Sequence, residues 1–114
     1  MGEILDIAIA DYQARKKTPL LTVTVDEWKD ANGNPVNLSV MRIGPDEYAD
    51  IAAARKDNGE LGGVVMTIIK QCYLFSDNKT RAFADTDFTK MMKKVDPEIL
   101  KRIYNQIAHV TGGF

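Results

Sequence analysis

Cys72 and His109 are the side chains best suited to nucleophilic or proton-transfer chemistry, and each residue type occurs once. A thiol attacks only as thiolate, which takes a neighbouring base or an electropositive setting. Cys72 instead continues the apolar run Val64-Val65-Met66-Thr67-Ile68-Ile69-Lys70-Gln71-Cys72, where it reads as a small buried hydrophobe. One histidine allows no two-histidine metal site within one chain. His109 falls in the last turn of a helical pattern, where it complements the C-terminal carbonyls. Asp77, Asn78, Asp85 and Asp87 suggest calcium. A helix–loop–helix calcium loop counted from Asp77, however, needs glycine at the sixth position and glutamate at the twelfth, and those positions hold Ala82 and Phe88. These acids read better as turn formers and helix caps. Lys90, Lys93, Lys94, Lys101 and Arg102 form a local basic cluster that could touch phosphates. The nearby aromatics Phe88 and Tyr104 fall at core spacing rather than on a stacking platform. Gly62-Gly63 lacks the Lys-Ser/Thr that follows in a phosphate-cradling loop. The sequence assigns no catalytic residue, no cofactor site and no metal ligand, and it reads as non-enzymatic.

The bulk properties agree with a compact domain. At 114 residues, with 45% hydrophobic and 27% charged side chains, the chain is long enough to bury a core without disulfides or metal. Residues 1–114 read as one domain. Fifteen basic and sixteen acidic side chains leave a net charge of -1, which gives no global attraction to nucleic acid or anionic lipid. A single cysteine fits a reducing compartment. No apolar run reaches the roughly 20 residues that span a bilayer, and Met1-Gly2-Glu3-Ile4 lacks the features of a signal peptide. A soluble cytoplasmic domain is expected.

The elements follow from periodicity and punctuation. A first helix spans 3–16, with Leu5, Ala8, Ile9 and Tyr12 on its expected inward face and Thr18-Pro19 as its stop. A hairpin over 20–43 has strands Leu20–Lys29 and Val36–Ile43, with Asn32-Gly33 as the central pair of a two-residue turn. That turn places Val25 opposite Val40 and Val23 opposite Arg42. Leu21, Val23, Val25, Val36, Leu38 and Val40 then share the packed face. Thr22, Thr24, Asn37 and Ser39 share the wetter face with Trp28 and Met41. Pro45 opens a helix that ends at Asp57-Asn58-Gly59, and Leu61-Gly62-Gly63 reads as a hinge. The central apolar helix runs from Val64 to Phe75, with Val65, Ile68, Ile69 and Cys72 as its stripe. A short helix carries Phe88, Met91, Met92 and Val95. Asp96-Pro97-Glu98 starts the last helix, whose inward residues are Ile99, Leu100, Ile103 and Ile107 and whose terminator is Gly112. The class is α+β: a mainly α-helical single domain of four to five helices, with one β-hairpin near the N-terminal third and a helical part over 45–110.

The central helix ending Ile68-Ile69-Lys70-Gln71-Cys72, the turn Ser76-Asp77-Asn78-Lys79, the returning Arg81-Ala82-Phe83, the cap Asp87-Phe88 and the last helix through Ile107 to Gly112 resemble the tail assembly chaperones of long-tailed bacteriophages. The resemblance covers the chain from about Leu20 onward. Its motifs are soft, and Asp77-Asn78-Lys79 stands where Asp-Gly is more typical. It implies a non-enzymatic protein that binds the tape measure protein, keeps it soluble until tube subunits polymerise around it, and is absent from the mature virion. The implied location is the host cytoplasm. The implied partners are the tape measure protein and the tail tube protein; further copies of the chain are expected from the unpaired edge of the hairpin, and no membrane, nucleic acid or cofactor is expected. In many relatives a translational frameshift extends the C-terminus, and the tail Val110-Thr111-Gly112-Gly113-Phe114 is compatible with a nearby site of that kind.

Two surfaces are expected to carry these contacts. Trp28, Met41 and Ile43, on the less buried face of a hairpin with an unpaired edge, suit self-association. Met91 and Met92, rimmed by Lys90, Lys93 and Lys94, suit an amphipathic client helix, unless both methionines fill the core. The alternative function is a small α+β module for nucleic-acid binding or regulation, using the basic cluster. An enzyme whose site is completed only between subunits is a further class without a positive motif.

Overall fold

The computed structural model describes residues 2–111. In chain order these form α1 (Gly2–Arg15), β1 (Leu21–Lys29), β2 (Pro35–Val40), α2 (Pro45–Gln71), β3 (Cys72–Leu74), a 3-10 turn at Asp85–Asp87, α3 (Phe88–Lys94) and α4 (Pro97–Thr111). The fold is α+β and mainly helical. The sheet has three antiparallel strands in the order β1-β2-β3, one more than the sequence pattern implies.

The hairpin loop is built on Asp30. Its amide donates to Asn34 O at 2.8 Å, its carbonyl accepts from Gly33 N at 3.0 Å, and its Oδ1 accepts from the amides of Asn32 and Asn34. Gly33 takes φ 80°, a left-handed conformation that glycine adopts without steric cost. The loop is thus one residue longer than a two-residue turn. Val25 pairs with Val36, Val23 with Leu38 and Leu21 with Val40, correcting the expected pairing of Val25 with Val40. The difference is four positions, an even number, so the same residues still face inward. A bulge between Val25 and Lys29 resets the alternation. Trp28 therefore packs against the core, its ring edge-on to Phe83 at 6.3 Å.

The second edge of β2 is taken up within the chain. Val40, Ser39 and Leu38 pair with Cys72, Tyr73 and Leu74, so the central helix ends at Gln71 rather than Phe75. An apolar run of this length is compatible with helix or strand, and an unpaired strand edge decides it. The chain then turns over Asp77, whose Oδ1 accepts from Lys79 N and Thr80 N, and Thr80 O accepts from Leu74 N at 2.8 Å.

α2 is a single 27-residue element broken at Gly59, which has φ 75° and ψ -168°. Its two arms fold back on each other. A Cβ on Gly62 would lie 2.6 Å from Ala54 O, so only glycine permits the approach. The break is at Gly59, and Gly62-Gly63 is a packing site rather than a hinge. The second arm supplies Val64, Val65, Ile68 and Ile69 to the core, facing Leu100, Ile103 and Ile107 of α4 and Val23, Val25, Leu38 and Val40 of the sheet. α4 starts at its expected cap, with Asp96 Oδ1 accepting from Glu98 N at 2.9 Å. The expected terminator Gly112 lies outside the described residues.

α1 departs most from expectation. None of its residues is buried, and Ile4, Leu5, Ile7 and Ile9 are 81%, 60%, 62% and 49% exposed. Tyr12 is its one half-buried side chain. Among the described residues no helix is long and apolar enough to cross a membrane.

Candidate functional site

The side chains expected to make contacts are placed differently from one another. Met91 is 3% exposed and Met92 packs half-buried against the core, while Lys90, Lys93 and Lys94 are exposed on α3. The expected Met91–Met92 surface is corrected accordingly. Neighbouring helix positions point about 100° apart, and packing α3 against α2 takes Met91 inside. The expected self-association patch is corrected too. Met41 and Ile43 are 4% and 8% exposed, because β2 leaves the sheet directly onto α2. There Met41 N donates to Gln71 O at 2.9 Å and Met41 O accepts from Gln71 Nε2 at 3.1 Å. Trp28, on the core side of the bulge, completes the correction.

What stays open beside α3 is a groove of about 450 Å³ between the two arms of α2. Ala53, Ala54, Met66 and Phe88 line its apolar part, and Asp50, Asp57 and Asp85 line its rim. Lys70, 8% exposed, closes one end. Its Nζ lies 3.1 Å from both Asp50 Oδ2 and Asp85 Oδ1. Arg81 joins the cluster, with its guanidinium 2.6 Å from Asp85 Oδ1 and its Nε donating to Ile69 O at 3.1 Å. Burial alone would lower the Lys70 ammonium, but the hydrogen bonds to Asp50 and Asp85 outweigh it and hold its pKa above the ordinary value. Hydrogen bonds from Arg81 and then Lys70 hold the Asp85 carboxyl below the usual carboxylate range. The two cations neutralise the inner acids and leave Asp57 at the outer rim. This groove escaped sequence reading because Gly59 looked like a terminator. Asp50 and Lys70 become neighbours only once α2 doubles back.

The residues with chemical potential are arranged for structure. Burial pushes the Cys72 thiol up to about 12, so it is a neutral thiol at the start of β3. Hydrogen bonds from Thr80 and the backbone of Lys79 and Thr80 lower the Asp77 carboxyl to about 2, as suits a turn former. His109 is exposed in the last turn of α4. Arg102 donates through Nη1 and Nη2 to the Glu27 carboxylate, which pairs one charge of the basic cluster beside α3. Among the described residues no three His, Cys, Asp or Glu side chains are grouped so that they could hold a metal ion. Comparisons with family models, with curated proteins and with solved structures find no match for this chain.

Proposed function

We propose that the chain is a non-enzymatic tail assembly chaperone of a long-tailed bacteriophage, which binds the tape measure protein and keeps it soluble in the host cytoplasm before tube assembly. The order of elements that carries the resemblance supports this reading. The observation that carries it furthest is the groove between the arms of α2. Its lining of Ala53, Ala54, Met66 and Phe88 combines small residues with an unbranched, polarizable methionine, which accommodates varied apolar side chains. Asp57 at the rim of such a lining suits an amphipathic helix with a basic flank.

Co-expression with the tape measure protein tests the proposal. The wild-type chain keeps the client in the soluble fraction. Ala53→Arg fills the groove from an exposed position, shifts stability by no more than about 0.5 kcal/mol, and returns the client to the pellet. A client that stays soluble with Ala53→Arg overturns the groove, and one that is insoluble with the wild type overturns the function. The exposed Lys90, Lys93 and Lys94 favour the second reading, a nucleic-acid module. Retention on DNA that falls steeply with salt supports that reading instead.

A further inference from the structure

We infer that α1 is the contact through which two copies of this chain pair, the two helices lying antiparallel. The inference stands apart from the client groove, which is built from α2 and α3. Ile4, Leu5, Ile7 and Ile9 are between half and four-fifths exposed, an apolar surface rarely left uncovered in a monomer. Ile4, Leu5, Ala8 and Ile9 form one stripe at helical spacing. The stripe runs directly into an apolar groove of about 550 Å³, where Ala8 and Ile9 face Ile43, Pro45 and Tyr48. The N-terminal half of α1 projects past that groove, and none of the described residues covers it.

Charge selects the occupant. Glu3 and Asp6 sit in the first half of α1, and Lys16 and Lys17 follow its last turn. Between them Asp11 is already paired with Arg15 at 2.8 Å. The helix is about 21 Å long at 1.5 Å per residue, so its ends lie beyond the Debye length of about 8 Å and act separately. A second α1 laid antiparallel brings Lys16 and Lys17 to Glu3 and Asp6 at both ends, and lays Ala8 and Ile9 across the partner's Tyr12 and Gln13 at its groove. A parallel arrangement sets like charges together. An anionic lipid surface is repelled by the acidic half. The same patch on both subunits, self-complementary about a two-fold axis, is the geometry of a closed dimer.

Sedimentation equilibrium of the full chain tests this. The wild type sediments as a dimer, and Leu5→Asp with Ile9→Asp as a monomer with unchanged far-UV circular dichroism. Glu3→Lys with Asp6→Lys weakens the dimer by about tenfold, as four surface pairs of a few tenths of a kcal/mol each would require. Lys16→Glu with Lys17→Glu does the same, and all four substitutions together restore the wild-type constant. A wild type that is monomeric at every concentration overturns the inference, whether or not it binds lipid vesicles. So does a fourfold variant no tighter than the two double variants, or a dimer that survives Leu5→Asp with Ile9→Asp.

Discussion

α1 and α4 are nearly equal in length, 14 and 15 residues, and both are rich in isoleucine and leucine, yet one has no buried residue and the other anchors the core. In α4, Leu100, Ile103 and Ile107 are fully buried, while Lys101, Arg102 and Asn105 keep the opposite side polar. In α1, Ile7, Ala10 and Ala14 fall away from the stripe of Ile4, Leu5, Ala8 and Ile9, so apolar residues surround the helix. The number of apolar side chains does not decide burial. A narrow stripe against a polar back fixes one orientation on the body; an apolar girdle fixes none, and Tyr12 is the one half-buried side chain of α1. There, burial against the body and then the nearby Glu47 raise the tyrosine hydroxyl.

The contrast is sharpest in mutants. Ile103→Asp on α4, or Val40→Asp at the centre of the sheet, buries an unpaired charge and costs about 3–5 kcal/mol. Urea unfolding measures this, and a midpoint equal to wild type would place either side chain outside the core. The next effect is pH-dependent and again belongs to the body. The Cys72 pKa is raised on folding, so its contribution is whole below the unfolded value of about 9 and is lost as pH rises toward about 12. Between pH 9 and 10.5 the wild type loses about 1–2 kcal/mol more than Cys72→Ala; parallel pH profiles would break the assignment. The smallest effect belongs to α1. Ile7→Ser shifts unfolding by less than about 0.5 kcal/mol, and a larger loss would show that α1 packs after all.

Legibility follows the same division. The strand faces, the buried stripe of α2 and the capped start of α4 were readable because each repeats a local period. The hairpin loop shifts the pairing by one residue and the bulge between Val25 and Lys29 by three more, and the sum of four leaves the faces intact. The bulge after Val25 was invisible and sent Trp28 to the other side. β3 was hidden because Cys72–Phe75 suits helix and strand equally, and the choice belongs to β2 across the sheet. Met91 and Met92 illustrate the limit for the site. Spacing placed them on one short helix without saying which of them the body would take. The groove depends on a backbone reversal at Gly59 that adjacent residues do not announce.

That reversal also decides how the sheet can close. Pairing Val40 with Cys72 closes a loop of 32 residues, from 72 − 40, and nearly all of it is α2. Were α2 an unstructured segment, closure would carry the full entropy of a flexible loop of that size. Were it one straight rod of 27 residues, its ends would stand about 40 Å apart and the strands could not meet. Folded at Gly59, with Gly62 against Ala54, the two arms form through short-range contacts and return Gln71 to the side of the molecule from which Pro45 departed. The helical hairpin is thus the clasp of the sheet: with its arms closed the two ends of α2 stand side by side, and β3 lies within reach of β2.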